Sequence, residues 1–293
     1  MTIQHPFAWG WDQLRAGVGS IGSAPPEEYW HRAGQHPGVP AIRRIGTADL
    51  KNALSRGLDD FRAERTDVIF LCVIYPVVGL LLAGFASGYG LLPLLFPLAS
   101  GFALLGPVAA DGLNEMSRRR EQGAEVGWTD AFRVLRSPAI GSIVLLGLLL
   151  MAIFLVWLLV AAGLYAATLG PAAPVSIGAF AHEVFLTGAG WALIVVGVAV
   201  GFLFAVVVLT ISIVSFPMLL DENVGIDVAV RTSIAAVRAN PRTMALWGLI
   251  VACGLVLGSI PLLVGLAVVM PVLGHATWHL YRRVVAVPGA ARR

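Results

Sequence analysis

The sequence predicts an all-α protein: a polytopic membrane bundle of six transmembrane helices, with three amphipathic helices on its cytoplasmic side. Three observations support this fold class. Hydrophobic residues occupy 58% of the 293 positions and charged residues only 13%, about half the charged share of a soluble domain. Several apolar runs reach or exceed the ~20 residues that a bilayer core requires. All 20 basic residues fall in segments that can share one side of the membrane.

The chain divides into three predicted parts. Residues 1–45 form a polar arm, with Gly, Pro and no sustained periodicity, which we expect to be largely disordered in the cytoplasm. Residues 46–283 form the membrane domain, and residues 284–293 form a short cytoplasmic tail. Cys72 and Cys253 both lie within apolar runs and make no disulfide framework.

An amphipathic helix over residues 47–62 opens the membrane domain. Apolar residues such as Leu50 and Leu58 recur at helical spacing, and Thr47 is the expected N-cap. The charged residues, Asp60 among them, are placed elsewhere on the helical wheel. The first two spans follow at 67–86 and 91–112, joined by a turn of four residues.

The middle of the chain predicts two more spans. Residues 113–137 read as a polar loop whose end, before Pro138, resembles a short amphipathic helix. The apolar runs 139–169 and 190–220 are the third and fourth spans. The loop at 170–189 between them contains a short segment with a His and a Glu.

The last part predicts an amphipathic helix and a hairpin. Residues 226–238 carry apolar residues on one face. Residues 245–280 are continuously apolar, and one helix of that length would reach roughly 54 Å, too long for a single span. A turn at 258–261 therefore separates spans five and six, with Pro261 expected early in the sixth helix.

The arginines predict the topology. Loops 113–137 and 221–242 and both termini contain all 20 basic residues, whereas the opposite loops contain none. The positive-inside rule then places both termini in the cytoplasm of a bacterial inner membrane.

Weak internal similarity predicts a repeat. The segments FRAERTDVIFL (61–71), RVLRSPAIG (133–141) and VRANPRTMALW (237–247) align where amphipathic helices lead into odd-numbered spans. The repeating unit would be an amphipathic helix, a span out and a span back. Three such units would be parallel, related by a pseudo-threefold axis along the membrane normal.

Each even-numbered span carries a Pro one turn before a polar residue. A Pro bends a transmembrane helix and frees a carbonyl, so three bends could gather the polar residues at the inner mouth of the bundle. In the alternative interpretation, the two acidic residues simply end their helices in interfacial water. The three pairs are Pro107 with Asp111, Pro217 with Asp221, and Pro271 with His275.

Two further groups are candidate binding residues. His275 and His279 are four positions apart, so they share a helix face that can hold a metal or a haem; the alternative is that both lie at headgroup depth without a ligand. Arg118, Arg119 and Arg120 can bind anionic headgroups; the alternative is that they only set the orientation of the chain in the membrane.

The sequence contains no nucleotide-binding glycine loop, serine-hydrolase motif or metal-binding Cys/His array. We therefore expect no catalytic residues, no cofactor and no nucleic-acid partner. The expected partners are the lipid bilayer and another membrane protein, and the oligomeric state is left open. The first functional hypothesis is a non-catalytic scaffold, assembly or lipid-interacting module. The alternatives are a small-solute or lipid permease, and a haem- or metal-binding membrane protein.

Three segments carry a resemblance to a known family: SFPMLLDENVG (215–225), VRANPRTMALWGLIV (237–251) and MPVLGHATWHLYRR (270–283). Over most of residues 45–285 the chain resembles a bacterial integral-membrane family known as domain of unknown function 2189. The resemblance implies six spans in the inner membrane and no particular activity. Some members carry a label suggesting cytochrome oxidase subunit one. A haem–copper centre needs more histidine ligands than the predicted spans of this chain contain.

Overall fold

The computed structural model describes residues 40–64, 110–222, 224–261 and 263–286, with a few positions between 77 and 98. This part of the chain contains nine α-helices and no β-sheet, so the all-α class is confirmed. Short 3₁₀-helices lie at Leu92–Leu94 and Trp128–Arg136. The α-helices are α1 Thr47–Ala63, α2 Asp111–Glu121, α3 Ile140–Thr168, α4 Ile177–Leu186, α5 Gly188–Ser212, α6 Ser215–Asp221, α7 Ile226–Ala239, α8 Pro241–Ser259 and α9 Leu266–Val284.

Three of the described helical segments are long and apolar enough to cross a membrane: α3 with 29 residues, α5 with α6 as one run of 34, and α8 with 19. Only 22%, 6% and 17% of their most apolar windows are buried within the protein. Side chains as large as Leu159 (72% exposed) and Phe202 (65% exposed) point outward. A continuous apolar surface of this kind is stable only against an apolar solvent such as lipid.

The fourth predicted span is interrupted near its end. A turn at 213–214 separates α5 from α6, and Pro217 lies in the first turn of α6, where the missing amide proton costs least. The side chain of Ser233 on α7 bridges the interruption. Its Oγ donates to the Thr210 carbonyl (2.7 Å) and accepts from the Val214 amide (3.3 Å). The backbone groups at the break therefore find a partner on another helix, as burial requires.

The predicted hairpin of α8 and α9 is present, but its turn differs from the prediction. α8 ends at Ser259, and α9 begins only at Leu266. Pro261 therefore lies before the helix and not in its first turn, so that prediction was wrong. Gly258 permits close packing, because a Cβ there would lie 2.9 Å from a methyl carbon of Leu266. Pro271 lies inside α9 as expected.

Two local predictions near the charged segments were wrong. Residues 113–121 are not part of a loop but belong to α2, whereas the short helix predicted before Pro138 is present as the 3₁₀-helix Trp128–Arg136. Thr47 is not the N-cap of α1. Gly46 holds that position, and its amide donates to the Asp49 carboxylate (3.0 Å).

Most of the first two predicted spans, with Pro107, lies outside the described residues. Two predicted units can be followed almost completely. One runs from the 3₁₀-helix at 128–136 through α3 to α6, and the other runs from α7 through α9. Each contains two long helices that pack against each other, α3 with α5 and α8 with α9.

The charged ends of the described segments meet at one end of the bundle. Ile42 pairs with Val285 in a single antiparallel bridge. Asn240, at the start of α8, accepts from the Ile45 amide (2.8 Å) and donates to the Arg43 carbonyl (3.0 Å). The segment before α1, the junction of α7 with α8, and the end of α9 are thus joined directly.

Candidate functional site

Among the described residues, a buried polar network lies where α1, α2 and α9 meet, and Asp60 on α1 is its centre. Asp60 is only 7% exposed. Its Oδ2 accepts from the Ser117 hydroxyl of α2 (2.7 Å) and from Nε2 of His279 on α9 (2.8 Å). Its Oδ1 forms an ion pair with Nε of Arg120 (3.3 Å). One carboxylate therefore joins three helices.

The hydrogen bonds around Asp60 keep it ionised. Burial alone would raise the pKa of this carboxyl, but the hydrogen bonds from His279 and Ser117 outweigh burial and hold the pKa below its usual value. An ionised carboxylate only accepts. The Ser117 proton therefore goes to Asp60.

His275 completes this network. Its Nδ1 lies 2.7 Å from the Ser117 oxygen. Since the hydroxyl proton is given to Asp60, Nδ1 of His275 must carry the proton and donate to Ser117. That tautomer leaves Nε2 of His275 unprotonated, and this buried nitrogen has no hydrogen-bond partner among the described residues.

A second network lies further along α9 and joins α9 to α2 and α6. Asp221, at the end of α6, accepts from the Tyr281 hydroxyl (2.8 Å) and from Nη1 of Arg282 (3.0 Å). Arg282 also pairs with Glu121 of α2 (3.2 Å), and Glu121 accepts from the indole of Trp278 (3.0 Å). The guanidinium of Arg282 lies 5.9 Å from the ring centroid of Trp278. We call α1, α2 and residues 275–286 together the polar platform.

The three consecutive arginines of α2 are paired with carboxylates. Nε and Nη2 of Arg118 both donate to Glu115, at 2.7 and 2.9 Å. Nε of Arg119 lies 3.5 Å from Asp130, and Arg120 pairs with Asp60. The prediction that these arginines bind headgroups stays a prediction, and any lipid phosphate must compete with these ion pairs.

The predicted polar cluster is only partly brought together. His275 belongs to the network of Asp60, and Asp221 to that of Tyr281 and Arg282. Asp111 is 2% exposed and accepts from the Asn114 amide (3.3 Å). No hydrogen bond in the described part of the chain joins these three residues to each other.

The sequence interpretation missed Asp60 and Ser117, which carry the network. Asp60 was placed away from the apolar face of α1, yet the structure buries it. The helical spacing could have predicted this burial. Asp60 follows Gly57 by three residues and Ala53 by seven, and Gly57 and Ala53 both lie on the buried face of α1. Ser117 gave no comparable signal, because a serine beside an arginine run is typical of a solvated helix.

The histidine pair is used in hydrogen bonds. Nδ1 of His275 contacts Ser117, and Nε2 of His279 contacts Asp60. The described residues contain no group of three or more His, Cys, Asp or Glu arranged to hold a metal. One nitrogen of each ring is already engaged, by a hydroxyl and by a carboxylate. The haem or metal hypothesis stays a prediction.

The exposed apolar helices and the buried polar platform define the class: this is an α-helical integral membrane protein. A family model described as a predicted integral membrane protein, domain of unknown function 2189, matches residues 95–221. The resemblance noted from the sequence is confirmed over this part of the chain, and the description names no activity. No curated protein and no solved structure gives a match.

Proposed function

We propose that the protein is a non-catalytic scaffold or assembly module of the bacterial inner membrane, which presents the polar platform to a partner in the cytoplasm. One observation carries this proposal: acidic side chains in and beside the platform are used to hold helices together. Asp60, Glu121 and Asp221 each accept a hydrogen bond from a side chain of another helix. Acid–base catalysis needs a group within reach of a substrate, whereas these groups form a fixed surface.

We propose six spans with both termini in the cytoplasm. The mutual contact of the segment before α1, the end of α6, the junction of α7 with α8 and the end of α9 supports this topology. Segments that touch lie on one side of the membrane, so the chain crosses an even number of times between them. The distribution of arginines identifies that side as the cytoplasm. Two comparable units, each with an interfacial segment and two long helices, support a threefold repeat.

The test is purification of the full chain from native membranes in several mild detergents, followed by protein mass spectrometry. We expect one stoichiometric partner. Lys51 and Arg56 are exposed on α1 and have no ion pair among the described residues. Their reversal, Lys51→Glu with Arg56→Glu, should release the partner. The control is Glu183→Gln on α4, which is exposed in the loop assigned to the opposite side and should retain it.

A protein without a partner in every detergent would overturn the scaffold proposal. Equal loss of the partner from the α1 variant and the α4 control would also overturn it, because it would show that the platform does not form the contact. Tags at 175 that are reached only from the cytosol would refute the topology.

One observation favours a permease as a second candidate. Oδ2 of Asp111 and Oδ1 of Asn114 are buried and have no partner among the described residues. Two such oxygens would suit a small cation or a solute that donates hydrogen bonds. Sodium influx into proteoliposomes is the test. Influx abolished by Asp111→Asn and retained by Asp59→Asn supports this candidate, and no influx above that of empty liposomes refutes it.

A further inference from the structure

A shallow groove lies on the outer face of α7. It is lined by Arg231, Ile234, Ala235, Arg238 and Ala239. Residues 231 and 238 are two turns apart, about 10 Å along the axis, on one face of the helix. The apolar side chains of Ile234 and Ala235 lie between them. The groove therefore has a positive group at each end and an apolar floor.

These two arginines differ from those of the polar platform. Arg118, Arg120 and Arg282 are paired with carboxylates. Arg231 and Arg238 are exposed and form no ion pair with any carboxylate in the described part of the chain. The two guanidinium groups are therefore available to an external anion.

The position of α7 decides which anion is within reach. The apolar run Gly188–Asp221 ends five residues before α7 begins, and the apolar helix α8 begins two residues after α7 ends. The buried face of α7 consists of small residues, including Ala229 and Ala236, which allow it to pack closely across the ends of the bundle. The groove consequently faces away from the bundle at the depth where apolar helices meet water, which is the headgroup depth.

We propose that this groove binds the headgroup of an anionic phospholipid. The phosphate lies between the guanidinium groups of Arg231 and Arg238, and the glycerol and upper acyl carbons contact Ile234 and Ala235. Arg binds phosphate through its planar fork of donors. The inference rests on the proposed membrane placement of this end, but it names a ligand that the scaffold proposal does not require.

The test is native mass spectrometry of the purified full chain titrated with phosphatidylglycerol or with phosphatidylcholine. An arginine at a membrane surface contributes about five-fold to binding of anionic lipid. We expect the double variant Arg231→Gln with Arg238→Gln to bind phosphatidylglycerol about 30-fold more weakly than the unmodified chain. The control, Arg44→Gln with Arg56→Gln, removes the same charge from exposed, unpaired sites on another segment and should change binding less than about three-fold.

Three outcomes would overturn the proposal. The first is equal weakening by the groove variant and the control, which would show that only overall charge matters. The second is equal affinity for phosphatidylglycerol and phosphatidylcholine. The third is displacement of the lipid by inorganic phosphate at comparable concentration, which would identify a soluble anion as the ligand. Partner recovery from the same groove variant tests the scaffold proposal separately, because we expect the partner to be retained when the lipid is lost.

Discussion

The polar platform makes a quantitative prediction about Asp60. In Asp60→Asn, an amide oxygen in place of Oδ2 can still accept from Ser117 and His279, but both bonds lose their charge. A bond to a charged group contributes about 1 kcal/mol more than a neutral one, so the two bonds together lose about 2 kcal/mol. The amide group also faces Arg120 in place of Oδ1, and loss of this partly exposed pair adds about 0.5 kcal/mol.

The expected loss is therefore about 2.5 kcal/mol in the free energy of unfolding. In a chain of this size, each kcal/mol lowers the midpoint temperature by about 2–4 °C, so we expect Tm to fall by roughly 5–10 °C. The assay is thermal unfolding in mild detergent, followed by tryptophan fluorescence. Trp278, one of the eight tryptophans, lies in the polar platform and contributes to the signal.

Asp59→Asn is the matched control. It removes the same charge from the neighbouring residue, whose pair with Arg62 has side chains 62% and 66% exposed. Exposed pairs of this kind contribute less than about 0.5 kcal/mol, so Tm should change by no more than about 2 °C. Equal shifts for the two variants, or a shift below about 2 °C for Asp60→Asn, would refute the argument that the buried carboxylate holds the three helices together.

Three further predictions follow from the same helices. Gly57→Ala should lower the free energy of unfolding by about 1–3 kcal/mol, because the new Cβ would lie 2.6 Å from the backbone nitrogen of Ala276. The unfolding temperature measures this loss, and an unchanged temperature would show that α1 and α9 can separate freely. Ser233→Ala should cost about 1–3 kcal/mol through two unpaired backbone groups, whereas Thr232→Val, which breaks only a bond within α7, should cost less. Because the pKa of Asp60 is lowered, its contribution is complete above its unfolded value of about 3.8 and is lost as pH falls below that. The difference in Tm between the unmodified chain and Asp60→Asn should therefore shrink towards zero in strong acid, and a difference independent of pH would contradict this.

Much of the fold could be predicted from the sequence, because each helix has a hydrophobic periodicity or an apolar run that is visible in its own residues. The bounds of the predicted amphipathic segment at 226–238 agree with α7 to within one residue. The apolar run 139–169 became α3 almost unchanged. Errors occurred where a local pattern had two solutions: the polar segment after 112 forms a helix because its buried face packs against α9, as the contact of Gly274 with Leu113 shows.

The candidate site was harder to predict, because its residues are distant in the sequence. Ser117 meets His275 across 158 positions, and Asp60 meets His279 across 219. A local pattern records which face of a helix is apolar but not which helix will cover it. Asp221 and His275 were recognised as polar groups near helix ends, yet each found a different partner from the one expected.

The sequence by itself determined that this is a helical membrane protein, because the hydrophobic composition and the length of the apolar runs are set by the bilayer. Only the tertiary structure decided which charges are used internally and which remain available. Arg119 and Arg120 of α2 pair with carboxylates on other segments, while the arginines of α7 have no such partner in the described part of the chain. Electrostatic pairing depends on distances across the fold, and no spacing along the chain encodes them.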